Sequence, residues 1–411
     1  MYQYDVTIVG GGLVGGSLAC ALADTGLKVA LIEAVSPQSH VQPSYDERVI
    51  ALSLGSQRIF RAIGVWSEMV PEAEPILRVH VSDRGHCAFT RLDHAEEGVE
   101  ALGYVIPARS IGSAIQIGLE YANNLEIFRP AQLLAHRVCG DGVDLSLRAD
   151  GEMVDLRTRL LVAADGGHSG IREGLDLKVS EHDYGQDAVI ATVTPDRPQR
   201  GVAFERFTDS GPLAMLPMTA DRYSVVWTCR ESETQELLSL DDDDFLGRLQ
   251  ARFGFRLGRL GQVSARRVYP LKFLLTRDSV QDRVVLIGNS AHTLHPVAGQ
   301  GFNLGLRDVA GLADVLADCA VDGRDPGAPE TLAGYSRWRT RDQKATAGLT
   351  DALVRLFTPD WTPLIMARAA GMLGVDLLPC ARHRLARRFM GLGGRQPRLA
   401  SGLSLGGGRH E

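Results

Sequence analysis

The chain has 411 residues, of which 45% are hydrophobic and 23% charged, so it has room for two or three folded units and is too apolar for global disorder. Its formal net charge of −6 at pH 7 argues against nucleic acid as the main partner. The cysteines form no C-x-x-C pair, which argues against a zinc site, a redox dithiol or a disulfide framework and favours reduced thiols: Cys20, Cys87, Cys139, Cys229, Cys319 and Cys380.

The N-terminus carries a dinucleotide-binding pattern. An apolar run at 6–9 predicts a strand, glycines follow in G-x-G-x-x-G spacing, a helical stretch ends near Gly26, and a second strand ends at Glu33. The glycines allow a tight turn and a close approach to a pyrophosphate, while the Glu33 carboxylate suits both hydroxyls of a ribose and repels a 2′-phosphate. We therefore expect FAD or NAD, not NADP, at these positions: Gly10, Gly12, Leu13, Val14, Gly15 and Glu33.

The start of this pattern within the first residues leaves no room for a cleavable signal peptide, so a cytoplasmic protein is expected. Alternating β-branched and aromatic residues at 77–90 and 204–229 predict antiparallel strands. Short apolar runs at 160–166 and 283–288 predict buried strands that resume the nucleotide-binding unit. The acidic run at 241–244 predicts a solvated helix start.

The predicted fold class is therefore α/β, with a discontinuous nucleotide-binding domain, an inserted domain built on an antiparallel sheet, and a C-terminal helical segment. The first domain is predicted at 1–75, 101–175 and 276–345 and the inserted, substrate-binding domain at 76–100 and 176–275. Residues 346–411 form the helical segment and a basic tail.

Two further clusters follow predicted strands. Asp165 and Gly166 place a carboxylate and accessible backbone amides where a cofactor approaches. The stretch 286–308 combines a strand, a polar turn, a proline-fixed bend and a glycine-rich helix start at 301–303. A helix N-terminus there would stabilise the negative charge of a reduced flavin ring, which favours FAD over NAD.

The C-terminal part leaves two interpretations open. Residues 361–380 are apolar but are interrupted by Pro363, Arg368, Asp376 and Pro379, so they make a poor membrane span. Residues 381–411 contain seven arginines and one acid. Either this segment lies on an anionic membrane, on its inner, cytoplasmic face, or it packs on the nucleotide-binding domain and continues as a solvated tail.

The three motifs, at 10–15 with Glu33, at 165–166 and at 288–303, resemble the sequence fingerprints of the class A flavoprotein aromatic hydroxylases. The stretches 46–52 and 63–66 are similar to the ubiquinone-biosynthesis hydroxylases within that class. Four further stretches look most like the 2-polyprenyl-6-methoxyphenol hydroxylases: 81–86, 204–208, 211–217 and 293–305.

This resemblance implies a glutathione-reductase-like FAD-binding domain with tightly but non-covalently bound FAD. Glu33 would hold the adenosine ribose, Arg48 would lie against the FAD, and Asp165 with Gly166 would line the channel over the pyrophosphate. Asn289 stands where most of the class has aspartate, and because its amide keeps an acceptor oxygen, we expect binding to persist. The remaining implied contacts are Gly288, Pro296, Gly299, Gly301, Phe302 and Asn303.

The implied reaction is hydroxylation of a polyprenylated phenol in ubiquinone biosynthesis, in which O₂ and a transient reductant, NAD(P)H or another protein, form a C4a-hydroperoxyflavin. The flavin carries this chemistry, so no catalytic side chain is assigned and no metal is expected. His295 and Pro296, beside the reactive edge of the flavin, are the weak candidates, and His292 is considered for proton transfer.

Two alternatives stay open. The chain could be a flavin-bound assembly subunit that contacts other ubiquinone-biosynthesis proteins, or another FAD-dependent oxidoreductase of the same fold, such as an oxidase or dehydrogenase. A flavin halogenase is disfavoured, because halogenases carry a Trp-x-Trp pair and the four tryptophans here are far apart: Trp66, Trp227, Trp338 and Trp361.

Overall fold

The computed structural model describes residues 2–36, 48–86, 88–357 and 361–406. Some positions discussed above lie outside the described residues: Asp46 and Glu47, which belong to the stretch similar to the ubiquinone-biosynthesis hydroxylases, Cys87, and the end of the basic tail at 407–411. The other five cysteines are free thiols.

The described segments form strands and helices in a mixed order along the chain. The strands are β1 (Tyr4–Val9), β2 (Val29–Ile32), β3 (Val49–Ser53), β4 (Glu74–Ile76), β5 (Arg78–Asp83), β6 (Phe89–Asp93), β7 (Gly103–Pro107), β8 (Leu125–Phe128), β9 (Ala131–Cys139), β10 (Gly142–Ala149), β11 (Glu152–Ala163), β12 (Val179–Pro195), β13 (Val202–Thr208), β14 (Gly211–Met218), β15 (Arg222–Arg230), β16 (Leu260–Val263), β17 (Arg267–Thr276), β18 (Val280–Gln281), β19 (Val284–Leu286) and β20 (His292–Thr293). The α-helices are α1 (Leu13–Ala21), α2 (Leu54–Ala62), α3 (Trp66–Met69), α4 (His94–Glu97), α5 (Ala108–Glu120), α6 (Gly170–Gly174), α7 (Glu231–Ser239), α8 (Asp242–Phe253), α9 (Gln300–Val321), α10 (Pro329–Phe357), α11 (Thr362–Leu377) and α12 (Pro379–Phe389).

The first sheet is built around parallel strands in the order β19-β11-β1-β2-β8. Strands β1, β2 and β19 and the end of β11 are buried on both faces, which explains their continuous apolar runs, whereas the edge strand β8 is partly exposed. Leu160 and Val162 of β11 pack with helices α1, α5 and α9, whereas Leu161 and Ala163 face the antiparallel β9–β10 extension. The strand predictions at 6–9, 160–166 and 283–288 are confirmed, and all three strands end at the same edge of the sheet.

The second sheet has nine strands and is antiparallel except where β5 pairs with β13. Its strands come from 78–93, 179–276 and 292–293, while the domain boundaries given above stay a prediction. Helices α7 and α8 cover its outer face, where Phe245 and Phe253 pack against Trp227. The predicted acidic helix start is confirmed, because the Asp241 side chain caps α8 by accepting from the Asp244 N–H at 2.8 Å.

A small antiparallel sheet, β3-β7-β4, lies beside these two. The tail after α12 returns to pack on α2 and α9: the Gly55 N–H donates to the Met390 carbonyl at 2.8 Å, and Arg398 pairs with Asp314 at 2.6 Å and Asp318 at 2.8 Å. The described part of the tail is therefore packed and not solvated, whereas membrane docking of the helices before it stays a prediction.

Asp308 of α9 ties the turn after β19 to helix α10. One carboxylate oxygen accepts from the Gly288 N–H at 3.2 Å and contacts His292 Nε2 at 2.6 Å. The other accepts from Arg339 at 2.9 Å and Gln343 at 3.0 Å. Burial raises the pKa of this carboxyl, but His292 and Arg339 outweigh it and hold the pKa below its ordinary value.

We expect Asp308→Ala to lower the free energy of unfolding by about 3 kcal/mol, because the change removes a negative charge that pairs with the buried guanidinium of Arg339. Urea unfolding measures the loss. Asp318→Ala on the same helix is the matched control, since it removes a 62%-exposed partner of Arg398 and should cost under about 1 kcal/mol. Equal effects of the two substitutions would contradict the central role of Asp308.

Candidate active site

A single cavity of about 1500 Å³ joins the carboxyl ends of the parallel strands to the inner face of the nine-stranded sheet. Helices α10 and α11 close its far side. The volume exceeds the roughly 300–1,000 Å³ typical of one small-molecule site, so the cavity has room for a large cofactor and a second ligand together.

The cavity begins at the glycine-rich turn between β1 and α1. Gly10 has φ +101°, and a Cβ on Gly15 would lie 1.9 Å from the Gly10 carbonyl oxygen, so neither position tolerates a side chain. Helix α1 starts after Gly12 without a side-chain cap, which leaves its first N–H groups available to an anion. Gly10, Gly12, Leu13 and Val14 line the cavity wall.

Glu33 holds this turn in place. Its carboxylate accepts from the Gly11 N–H at 2.6 Å and from the Val35 N–H at 2.7 Å. Two carboxylate oxygens offer about four lone pairs, so acceptor capacity remains for a ribose diol. Only 8% of Glu33 is exposed, and it lines the cavity.

The second and third motifs meet through Ser290, which sequence reasoning missed. The Ser290 hydroxyl donates to Asp165 Oδ1 at 2.9 Å and accepts from the Gly166 N–H at 3.0 Å. Arg172 donates to the carbonyls of Ser290 at 3.1 Å and Gly167 at 2.7 Å, which fixes the two turns relative to each other. The signal for Ser290 was its place next to Asn289 in the polar turn, but only the strand order shows that this turn meets Asp165.

The third motif also packs directly on the first. Gly288 has φ +58°, and a Cβ there would lie 3.0 Å from both methyl groups of Val14. The next residue, Asn289, is exposed at the cavity wall. The fold therefore brings together the three motifs at 10–15, 165–166 and 288–303, which lie far apart in the sequence.

Helix α9 begins at the cavity without a side-chain cap, after Ala298 at φ +58° and Gly299 at φ +61°. A Cβ on Gly301 would meet no atom within 4 Å, so the backbone of the first turn is accessible there. Phe302 stacks on Phe60 with a centroid separation of 6.3 Å.

The Asn303 side chain is fully engaged with protein. Its amide oxygen accepts from the Ser53 N–H at 2.8 Å and the Ser56 hydroxyl at 2.7 Å, and its amide nitrogen donates to the carbonyls of Ala51 at 2.8 Å and Gly299 at 2.7 Å. Asn303 thus locks β3 and α2 to the start of α9, and only its backbone is left for a cofactor.

The two histidines of the turn are completely buried. His292 is bound to Asp308, as described above. His295 Nδ1 accepts from the Val297 N–H at 3.2 Å, and the ring packs edge-on against Tyr184 at 5.1 Å. Burial lowers the pKa of His295 to about 4, so the ring is neutral near pH 7 and shapes the turn through its acceptor nitrogen. Pro296 lines the cavity beside it.

Arg48 directly precedes strand β3 and lines the cavity. Its guanidinium lies 4.6 Å from the centroid of the Tyr269 ring, and both residues line the cavity. This cation–π contact places a positive charge at the cavity wall, beside strand β17 of the nine-stranded sheet.

The sheet wall of the cavity is almost entirely apolar. The strand register places side chains from six strands on this face: Thr90, Leu92, Val79, Val81, Ala203, Glu205, Phe207, Pro212, Ala214, Leu216, Val226, Thr228, Ala188 and Ile190. Glu205 is the one carboxyl in that set, and sequence reasoning missed it. Burial raises the pKa of Glu205 to about 8. The sequence feature that could have indicated Glu205 is an acid between two apolar residues, Ala203 and Phe207, at alternate positions of a strand.

These features fit FAD. Two uncapped helix N-termini suit a pyrophosphate and a negatively charged ring, Glu33 suits a ribose, and the space above Gly166 and Gly301 lets a ligand approach the backbone, since a Cβ at either glycine would meet no atom within 4 Å. Individual contacts of the predicted site residues with the cofactor stay a prediction.

Comparisons with known proteins agree with this geometry. Residues 3–348 match the model of a family described as FAD binding domain. The chain is 41% identical over 404 residues to ubiquinone hydroxylase UbiL of Rhodospirillum rubrum, covering 98% of this chain and 93% of that protein. It is 29% identical to 3-demethoxyubiquinol 3-hydroxylase of Escherichia coli, covering 94% and 98%.

Among solved structures, p-nitrophenol 4-monooxygenase PnpA from Pseudomonas putida is similar with a TM-score of 0.77. At 18% identity, over 96% of this chain and 99% of that one, this likeness concerns the fold. It confirms the predicted combination of an α/β nucleotide-binding part, an antiparallel sheet and a C-terminal helical segment.

The Glu205 carboxyl gives the stability a specific pH dependence. Its pKa is about 8 in the folded chain against an ordinary value of 4.5, so the folded state keeps a proton that the unfolded state loses between these two pH values. Stability contributed by the protonated form is thus complete below pH 4.5 and is lost as the pH rises to about 8.

With no substrate present, we therefore expect the Glu205→Gln variant to become more stable relative to the wild type as the pH rises. The difference between their free energies of unfolding should change by on the order of 2 kcal/mol between pH 5.5 and pH 8.5. Urea unfolding at both pH values measures this gain. Glu181→Gln, at an exposed position of β12, is the control and should show no such trend. A gain that is independent of pH would refute the raised pKa of Glu205.

Proposed function

The chain belongs to the FAD binding domain family, and from that membership we propose that it hydroxylates the aromatic ring of a polyprenylated phenol, of the 2-polyprenyl-6-methoxyphenol type, in ubiquinone biosynthesis. The predictions of an FAD cofactor, of an FAD-dependent aromatic-ring monooxygenase and of a place among the ubiquinone-biosynthesis hydroxylases are confirmed. The reactants of this class of enzyme are a phenolic ubiquinone precursor and O₂. That the phenol carries a prenyl chain is part of what we propose.

The observation that carries the proposal is the continuity of the cavity. One space runs from the glycine turn and the start of α9 to an apolar sheet wall. A cofactor that spans the first part would present its reactive end to a ring held in the second part. Such a ring needs apolar surface and few polar groups, which is what the sheet provides.

Bound FAD supplies the reduction of O₂ and the transfer of one oxygen atom to the ring. The protein stabilises the required charge with the uncapped N-terminus of α9. The apolar sheet wall, together with Pro296 and Val297 of the cavity lining, would exclude water from the reacting groups. Neutral His295 holds the Pro296 turn through its bond to the Val297 N–H.

The reductant docks transiently in this proposal. The sequence has a single G-x-G-x-x-G fingerprint, and the glycines at 299, 301 and 305 have the wrong spacing for a second. NAD(P)H as the reductant is consistent with the family.

A prenyl chain would fit the apolar part of the cavity formed by the sheet and the C-terminal helices. This part is lined by Leu92 and Leu216 of the sheet, Met372 of α11, and Leu385 and Phe389 of α12. An isoprenoid chain could replace water along these surfaces, and each buried CH₂ would contribute about 0.8 kcal/mol.

Helix α11 presents its other side to solvent. Met366 is 68% exposed, Leu373 50% and Leu377 66%, and their spacing places them on one stripe of the helix, with Trp361 at its start. Arg384, Arg387 and Arg388 of α12 are exposed and make no ion pair within the described part of the chain. An apolar stripe beside free arginines supports docking on an anionic membrane surface.

No single helix among the described residues is long and apolar enough to cross a bilayer. Helices α11 and α12 pass such a test only together, and they are bent by 95° at their junction. Docking parallel to the surface is therefore the mode we propose for this helix pair.

We expect the FAD-loaded protein to convert a short-chain 2-prenyl-6-methoxyphenol, with NAD(P)H and O₂, into a product that contains one more oxygen atom. Mass spectrometry of the product, together with oxygen consumption, tests this reaction. Gly15→Ala is the control, because its Cβ would collide with the Gly10 carbonyl and prevent FAD binding. Cells that lack the chain should accumulate the unhydroxylated precursor. Accumulation without any hydroxylation by the pure protein would favour an assembly subunit.

We expect the triple substitution of Met366, Leu373 and Leu377 by serine to weaken binding to phosphatidylglycerol-containing vesicles by at least about 10-fold, because it removes the apolar stripe. Co-sedimentation measures the bound fraction. Tyr121→Ser with Val321→Ser is the matched control, since these residues are 77% and 86% exposed on other elements. Equal binding by the triple variant and the wild type would rule out this docking surface.

A further inference from the structure

Glu205 occupies the middle of the sheet wall. Its cross-strand neighbours are Val81 on β5 and Ala214 on β14, and the next residues outward in the same row are Thr90 and Val226. All of these side chains line the cavity. The accessible part of the Glu205 side chain therefore faces the cavity from within an apolar surface.

The other charged and titratable groups around this wall have partners of their own. Arg368 of α11 forms a 2.9 Å ion pair with Asp83 of β5 and donates to the Phe357 carbonyl of α10 at 3.1 Å. Arg48 lies over the Tyr269 ring of β17.

Two more such groups belong to the turn and strand opposite. His295 accepts from the Val297 N–H, and Tyr184 donates to Asp351 of α10 at 3.2 Å. Within the described chain, no residue forms a hydrogen bond or ion pair with Glu205, and burial is the cause that raises its pKa.

A partly buried carboxyl that lies within an apolar surface and has no protein partner costs free energy and calls for an explanation. The hydroxyl of Thr90, nearby on the same face, donates to the Met372 carbonyl at 2.8 Å and is therefore satisfied. Glu205 thus stands out as a polar group whose hydrogen-bonding capacity is left for a ligand in the cavity.

We propose that the Glu205 carboxyl forms a hydrogen bond with the hydroxyl group of the substrate's aromatic ring and so fixes the orientation of that ring in the cavity. This inference rests on the proposed function. The surrounding apolar side chains contact the ring and its alkyl substituents, while the carboxyl provides a directional contact on the sheet wall. A fixed hydroxyl in turn determines which ring carbon faces the flavin-binding end.

Such a contact also selects the substrate. A site that is built to bond a hydroxyl prefers it to an analogue without one, because a phenol both donates to and accepts from the carboxyl, whereas its ether can only accept. A phenol should bind better than its methyl ether, although the ether is the more apolar of the two. This preference distinguishes a specific contact from general hydrophobic binding.

The test uses the FAD-loaded, oxidised protein and measures ligand binding through the change in flavin absorbance. The probes are a 2-methoxyphenol that carries one isoprene unit and its O-methyl ether. We expect the wild type to bind the phenol about 10-fold more tightly than the ether. Glu205→Leu should bind both with equal affinity, whereas Glu205→Gln, which retains a hydrogen-bonding group, should keep most of the preference.

Glu181→Gln controls for the loss of a charge elsewhere on the same sheet and should bind as the wild type does. FAD content and the unfolding midpoint verify that the variants are folded, and Glu205→Ala serves if leucine does not fit. A preference for the phenol that survives in the leucine and alanine variants overturns the assignment of Glu205 alone. If the wild type binds neither probe, the proposed function fails and this inference fails with it.

Discussion

The close approach of three chain segments at the edge of the parallel sheet is the constraint on which the rest of the structure depends. A Cβ on Gly15 would lie 1.9 Å from the Gly10 carbonyl oxygen, and Gly288 packs against both methyl groups of Val14. Because side chains are absent at these positions, the turns after β1 and β19 share one wall of the cavity. The Ser290 bonds to Asp165 and Gly166 then complete that wall from β11. A cofactor site arises where three strands end because their backbones can nearly touch.

Buried polar side chains keep these turns in position. Asp308 and Asn303 both belong to α9, and between them they bond the turn after β19, helix α10, strand β3 and helix α2. Every polar atom of these two side chains has a protein partner, so they act as rigid connectors. Glu205 differs from both, because among the residues that the structure describes its carboxyl has no such partner, and it lies on the wall that we propose for the substrate.

Much of the fold and part of the site could be predicted from the sequence. The features that could be predicted depend on local patterns, whereas those that could not depend on contacts between distant parts of the chain. The motifs at Gly10, Asp165 and Gly288 are each a strand followed by a turn, so their local pattern is sufficient. The role of Asn303 depends on four groups, three of them about 250 positions away, and Ser290 depends on the strand order. Glu205 depends on cross-strand register, which places it among apolar neighbours and which no local pattern gives. The packing of the tail through Arg398 depends on distant Asp314 and Asp318 and was not predictable from the basic composition of the segment, whereas the exposed apolar stripe of α11 leaves membrane docking a proposal.

Helix α11 has a cavity-lining side, at Arg368 and Met372, and an exposed apolar side, at Met366, Leu373 and Leu377. The two sides are separated by one helix diameter, about 10 Å. With the exposed side in a bilayer, an isoprenoid would pass from lipid to enzyme without dissolving in water. Turnover would then follow the mole fraction of substrate in the lipid phase, so dilution of a suspension would leave the rate per enzyme unchanged, whereas added inert lipid would slow it.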